Sequence, residues 1–241
     1  TKAENYNITT HNGKLIVTAE ASEVTVVITG RNGTFPYDGT EKSVKGYDVS
    51  ITQGSTYTEA DFTFSGNDEV KGTEANTYPM GLKASDFTNN NTNYSSVTFV
   101  VTDGSLVINP KSIIPSDTND IEVTKPVDSK YDGKVHENKP TVKDNKTNKT
   151  LVEGTDYTLS YKGDTTNVGT VTVTITGIGN YEGTVDTSYE ITPAPLSITT
   201  DSANKVYDGN PLTADGRIAG LVNNEKVTFT VTGSQTTVGT S

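Results

Sequence analysis

The Tyr-Asp-Gly triplet occurs three times, at Tyr37-Asp38-Gly39, Tyr131-Asp132-Gly133 and Tyr207-Asp208-Gly209, and this repetition constrains the fold more than any other feature. A Gly-x5-Gly-Thr stretch follows each copy, from Gly66 to Thr73, Gly163 to Thr170 and Gly233 to Thr240. An Asn-Tyr pair recurs at Asn5-Tyr6, Asn93-Tyr94 and Asn180-Tyr181. Landmarks that return in one cyclic order describe a tandem array of small units, each of which buries its own core.

Between the landmarks the hydropathy pattern has period two. Val171-Thr172-Val173-Thr174-Ile175-Thr176 alternates strictly, Glu23–Thr29 nearly so, and Val227–Thr232 repeats the pattern. Alternation places the apolar set on one face of a strand and threonine on the other, as in an antiparallel sheet with one wet face. Only 31% of residues are hydrophobic, while 43 are threonine, a residue that favours strands. No amphipathic helix stands out. The expected fold is all-β, a tandem array of small antiparallel β-sandwich modules.

Module ends are marked by proline, which cannot continue a ladder because it lacks the amide donor. Leu106-Val107-Ile108-Asn109-Pro110 closes one module and Tyr189-Glu190-Ile191-Thr192-Pro193 the next. The expected organisation is therefore a complete module at 22–110, a linker at 111–120 and a second complete module at 121–193. Residues 1–21, with Gly13-Lys14-Leu15-Ile16-Val17 as a closing strand, read as the end of one incomplete module. Residues 194–241 read as the opening of another. A window cut from a longer array accounts for these ends. Head-to-tail strand complementation, which would make the chain a filament subunit, is the alternative.

Composition excludes several function classes. A net charge of -11 argues against nucleic acid and anionic lipid as partners. No apolar stretch has the length of a membrane span. With no cysteine there is no disulfide, thiolate metal site or cysteine nucleophile. Two histidines and no Gly-x-Ser-x-Gly elbow give no basis for a serine triad, and without tryptophan there is no such sugar platform. The expectation is a non-enzyme without cofactor or metal.

The same residues resemble a known repeat class. Lys205-Val206-Tyr207-Asp208-Gly209-Asn210-Pro211-Leu212-Thr213 resembles the YDG-type repeats of Gram-positive cell-surface proteins, as does Thr34–Gly39 with Gly104–Asn109 as its tail. The middle module, ending Ile178-Gly179-Asn180-Tyr181-Glu182-Gly183-Thr184, resembles the related MBG-like bacterial immunoglobulin-like repeats. The resemblance implies immunoglobulin-like or β-grasp-like modules in large secreted or wall-anchored bacterial proteins. The expected role is a stalk that projects a distal adhesive or enzymatic head. Neighbouring repeats of the same chain would be its main contacts. Alternatively, the repeats are themselves adhesins for host surface glycans or proteins.

Particular residues follow from these readings. The nine Tyr-Asp-Gly residues are expected to be structural, a core anchor beside an Asp-Gly turn. Asn93 and Tyr94, in the loop Asn89-Asn90-Asn91-Thr92-Asn93-Tyr94, are the candidate ligand loop. Asp117, Asn119 and Asp120 are oxygen ligands that could hold a linker calcium ion, though a solvated linker is expected. His11 and His136 are expected at the surface. An internal Lys-to-Asn isopeptide bond would draw on Asn109 with Lys45, Lys125 or Lys162. Six Asn-x-Ser/Thr sequons, at Asn7, Asn32, Asn90, Asn93, Asn145 and Asn148, are expected from composition alone.

Overall fold

The computed structural model describes residues 3–53, 55–118 and 120–240. Its fold is all-β, with two compact units at 1–109 and 110–241. Among the described residues the only helical elements are three-residue 3-10 turns. Among these residues no helix is long and apolar enough to cross a membrane.

The first unit contains β1 (Val24–Gly30), β2 (Asn32–Pro36), β3 (Lys42–Lys45), β4 (Tyr47–Ile51) and β5 (Phe62–Phe64), then β6 (Glu69–Gly72), β7 (Asn76–Pro79), β8 (Phe87–Asn89), β9 (Val97–Thr102) and β10 (Ser105–Asn109). One sheet has the order β4-β1-β9 and another β2-β10-β7, with β3-β6 and β5-β8 as smaller pairs. The alternation in β1 has its expected result, with Val24, Val26 and Ile28 fully buried. They pack with Tyr57, Phe62 and Phe87, and the half-buried Tyr47, Phe64, Tyr94 and Phe99 fill in around them. Burial of each such side chain contributes about 1.5–3 kcal/mol, which is how a chain poor in apolar residues still holds a core.

The pairing differs from a purely antiparallel sandwich. β1 runs parallel to β9, and β2 runs parallel to β10. Parallel neighbours need a long crossover connection, and here the rest of the module supplies it. The first strands of the module can therefore lie beside its last.

The second unit contains β11 (Lys111–Ser112), β12 (Ile121–Thr124), β13 (Ser129–Lys130), β14 (Thr141–Asp144), β15 (Lys149–Thr150), β16 (Tyr157–Lys162), β17 (Gly169–Gly177), β18 (Tyr181–Glu182) and β19 (Thr184–Thr192). Its main sheet is β13-β19-β17-β16, and β12-β14-β15 forms a second. Val171, Val173, Tyr189 and Ile191 form its core cluster, with Tyr131, Leu159 and Tyr161 against it. The opening strand is again parallel to a late one, β11 with β18 and β13 with β19. The expected linker at 111–120 needs correction at its start. Lys111 and Ser112 are a strand of this unit and Ile113 is fully buried, because Lys111 and Ile113 donate their amides to Asn180 and Glu182.

Two expected strands are absent. Gly13–Val17 forms no strand, and Leu15 and Val17 are almost fully exposed. Val227–Thr232 also forms none, despite its alternation. The described C-terminal segment instead forms β20 (Ser197–Thr200), β21 (Leu212–Thr213), β22 (Gly216–Ala219) and β23 (Ser234–Gln235), paired β20-β22 and β21-β23. The physical reason is common to both. Alternation selects a face, but a strand also needs a partner for its backbone groups, and among the described residues neither segment pairs with one.

Candidate functional site: the Tyr-Asp-Gly clasp

The three triplets build one local structure. Gly39, Gly133 and Gly209 have φ of 76, 73 and 80°, the left-handed region where glycine carries no Cβ penalty. In each copy the aspartate Oδ1 accepts the amide two residues on: Thr40 at 3.0 Å, Lys134 at 2.9 Å and Asn210 at 3.0 Å. This side-chain turn reverses the chain without a backbone hydrogen bond.

Each aspartate also holds a cation or an imidazole. Asp38 meets Lys42 Nζ at 2.8 Å, Asp132 meets His136 Nε2 at 2.9 Å, and Asp208 meets Lys205 Nζ at 2.7 Å. The Lys42 ammonium, with the Thr40 hydroxyl and amide, holds the Asp38 carboxyl far below the usual carboxylate range. The Lys205 ammonium and the Asn210 amide lower Asp208 to about 2. Asp132 is lowered by the Lys134 amide and, less strongly, by His136. His136 is thus half-buried against its own turn, not on the open surface as expected, whereas His11 is exposed.

The tyrosine closes the module through its backbone. Tyr37 donates its amide to the Asn109 carbonyl at 2.9 Å, and Tyr131 donates to the Thr192 carbonyl at 2.8 Å. Asn109 and Thr192 are the residues immediately before Pro110 and Pro193. The triplet therefore fastens the last residue of each module to its opening segment. Tyr37 is buried, Tyr131 is half-buried and its hydroxyl donates to Glu225, and Tyr207 is exposed. A core anchor thus describes Tyr37 but not Tyr207.

The loop 89–94 is occupied with itself. The Asn89 side chain accepts from the Tyr57 hydroxyl at 3.0 Å and the Asn91 amide at 2.9 Å, and donates to the carbonyls of Asn91 and Tyr94. The Tyr94 ring packs edge-on against Tyr57 at 5.2 Å, and its hydroxyl meets Thr56. Asn93 is exposed, and its amide donates to the Asn91 side chain. The aromatic group expected to reach a ligand is therefore core packing.

A network not anticipated from the sequence anchors the start of the second unit. Asp144 is fully buried; its Oδ1 meets Lys111 Nζ at 2.8 Å, and its Oδ2 accepts from the buried Tyr181 hydroxyl at 3.2 Å. Burial alone would raise the Asp144 carboxyl, but Lys111, the Thr147 amide and Tyr181 hold it below the ordinary range. No spacing signal marks Lys111 and Asp144, because their meeting depends on β11 joining the sheet edge.

Other candidate sites are not assembled. Asp117 and Asp120 are exposed, and Asn119 lies outside the described residues. Among the described residues no three histidine, aspartate or glutamate side chains converge on a metal position. Asn109, Lys45, Lys125 and Lys162 are all exposed, so none supplies the buried trio an isopeptide bond requires. An open groove of about 580 Å³ lies on the first unit, lined by Arg31, Asp48, Glu59 and Asp68 around Tyr47 and Phe64.

A family model for the MBG domain matches residues 23–110. MBG repeat domains are typical of extracellular proteins. The match falls on the module whose ends resemble the YDG type, and its last residue is the boundary proline Pro110. No curated protein matches the chain.

Proposed function

We propose that these modules are non-catalytic spacer repeats of a bacterial cell-surface protein, projecting a distal head from its anchor. The observation that carries this reading is the parallel closure of each module. Val24 pairs with Val97 at one end of the ladder, and Pro36 pairs with Asn109 at the other. The chain therefore begins and leaves the first module at opposite ends of paired strands, whose contour is at most roughly 40 Å at about 3.3 Å per residue. A module of this kind lengthens an array by a fixed step and needs no change in its neighbours' cores.

The groove around Tyr47 supports a second reading, in which the first module binds glycan or protein itself. Tyr47 packs edge-on against Phe64 at 5.2 Å and Phe87 at 5.3 Å, and the Arg31–Asp48 ion pair of 3.0 Å stands at the rim. Binding of the 241-residue chain to host matrix proteins, mucins and polysaccharides separates the two. A spacer gives no saturable binding. Saturable binding lost in Tyr47→Ala, with the fold retained, would replace the spacer with an adhesin.

A further inference from the structure

The parallel closure of the first module has the geometry of a mechanical clamp. In β1 and β9 the partners are Val24–Val97 through Thr29–Thr102, and in β2 and β10 they are Asn32–Ser105 through Pro36–Asn109. The offset between partners is 73 residues in both halves. The ladder therefore keeps its register while both strands change sheets together. The Ser105 amide bridges the change by donating to the Arg31 carbonyl at 3.2 Å. Further bonds lie at the two ends, from the Val24 amide to Ser96 at 3.0 Å and from the Tyr37 amide to Asn109 at 2.9 Å.

Tension applied at the two ends of this module pulls Val24 toward the N-terminal side and Asn109 toward the C-terminal side. Because both strand pairs are parallel, those pulls run in opposite directions along the two consecutive ladders. Every rung is then loaded in shear at once. A single backbone hydrogen bond contributes little on its own, so strength comes from the rungs having to yield together. Second neighbours reinforce both loaded strands. β1 lies between β4 and β9, and β10 lies between β2 and β7, so neither can slide without breaking ladders on both sides. The fully buried Val26, Ile28, Leu106 and Ile108 side chains key the same strands into the core.

We infer that the module at 24–109 is a force-bearing unit, built to resist tension along its own chain direction more strongly than tension across its ladder. This role deepens the spacer reading and rests on it for its purpose, since only a tethered, loaded array needs such a clamp. In the second unit the corresponding parallel pairs are shorter, two residues each in β11–β18 and β13–β19.

Single-molecule force spectroscopy on the 241-residue chain tests the inference. The chain has no cysteine, so paired substitutions define the points of attachment. Ser22→Cys with Asn109→Cys loads the ladder in shear. Ser22→Cys with Ser95→Cys pulls apart two adjacent starts of parallel strands and opens the rungs one at a time. All three side chains are exposed, and circular dichroism checks each pair for the wild-type fold. The expected result is a rupture force several-fold higher for the 22/109 pair at equal loading rate. Equal forces, or a lower force for 22/109, would overturn the clamp. The two readings fail separately, because ligand binding bears on the spacer alone and the force ratio on the clamp alone.

Discussion

Gly30 and Gly104 lie back to back where the opening and closing strands of the first module change sheets. A Cβ on Gly30 would run into the Gly104 backbone nitrogen, and a Cβ on Gly104 would run into the Arg31 carbonyl oxygen. The obstacles are backbone atoms in a ladder with partners on both sides, so they cannot turn aside as a side-chain tip would. Crossing strands this closely is what lets the parallel pairing continue through the bend.

Gly104→Ala is therefore expected to destabilise the first module by about 1–3 kcal/mol, the usual cost of forcing extra atoms into a packed site. Urea denaturation followed by circular dichroism measures it. Gly233→Ala, where a Cβ would meet nothing within 4 Å, is the matched control and should leave the curve unchanged.

The Tyr-Asp-Gly turn requires a left-handed residue at Gly39, with φ of 76°. Gly39→Val should cost at least 1–2 kcal/mol, roughly the penalty for an L-residue in this region, and Gly39→Asn should cost less because asparagine visits it more readily. Thermal unfolding of the two variants side by side checks the order. Equal melting points would mean that the turn relaxes.

Lys111 and Asp144 meet at 2.8 Å with almost no exposure. Lys111→Met leaves a buried carboxylate without its cation and is expected to cost about 3–5 kcal/mol. Tyr181→Phe removes one hydrogen bond to the same carboxylate and should cost about 1 kcal/mol. Denaturant midpoints of the second unit report both, and a Lys111→Met midpoint within error of the wild type would remove the pair from any role in stability.

The same pair sets an acid limit. Asp144 holds its proton less readily folded than unfolded, since its carboxyl lies below the ordinary value. Its contribution is therefore complete above the unfolded value near 3.9 and is lost as pH falls through the lower folded value. Stability of the second unit should fall below about pH 4, and the Lys111→Met variant should show a flatter pH profile there.

Asp208 titrates near 2 because Lys205 and the Asn210 amide stabilise its charged form. In Lys205→Met the carboxyl should move up toward the ordinary value near 3.9, read from the side-chain carbon shift in an NMR titration. No movement would assign the depression to the Asn210 amide alone.

The sequence by itself determined the local features. Val24, Val26 and Ile28 alternate with polar neighbours, and their burial in β1 follows from the period of a strand. Gly39, Gly133 and Gly209 carry positive φ because Asp-Gly turns need it, wherever the turn sits. Pro110 and Pro193 each follow the last residue of a final strand because proline offers no donor. Other features were decided only by the tertiary structure. Val227–Thr232 alternates as well as Val171–Thr176 yet forms no strand, since period two does not supply a partner. Tyr94, read as a ligand-facing aromatic, is packed on Tyr57, which is distant in sequence. Lys111, read as linker, reaches Asp144 only when β11 lies beside β18. The reason is common to all three: a turn or an alternating face is specified within a few residues, whereas pairing, register and buried charge depend on which distant segments meet.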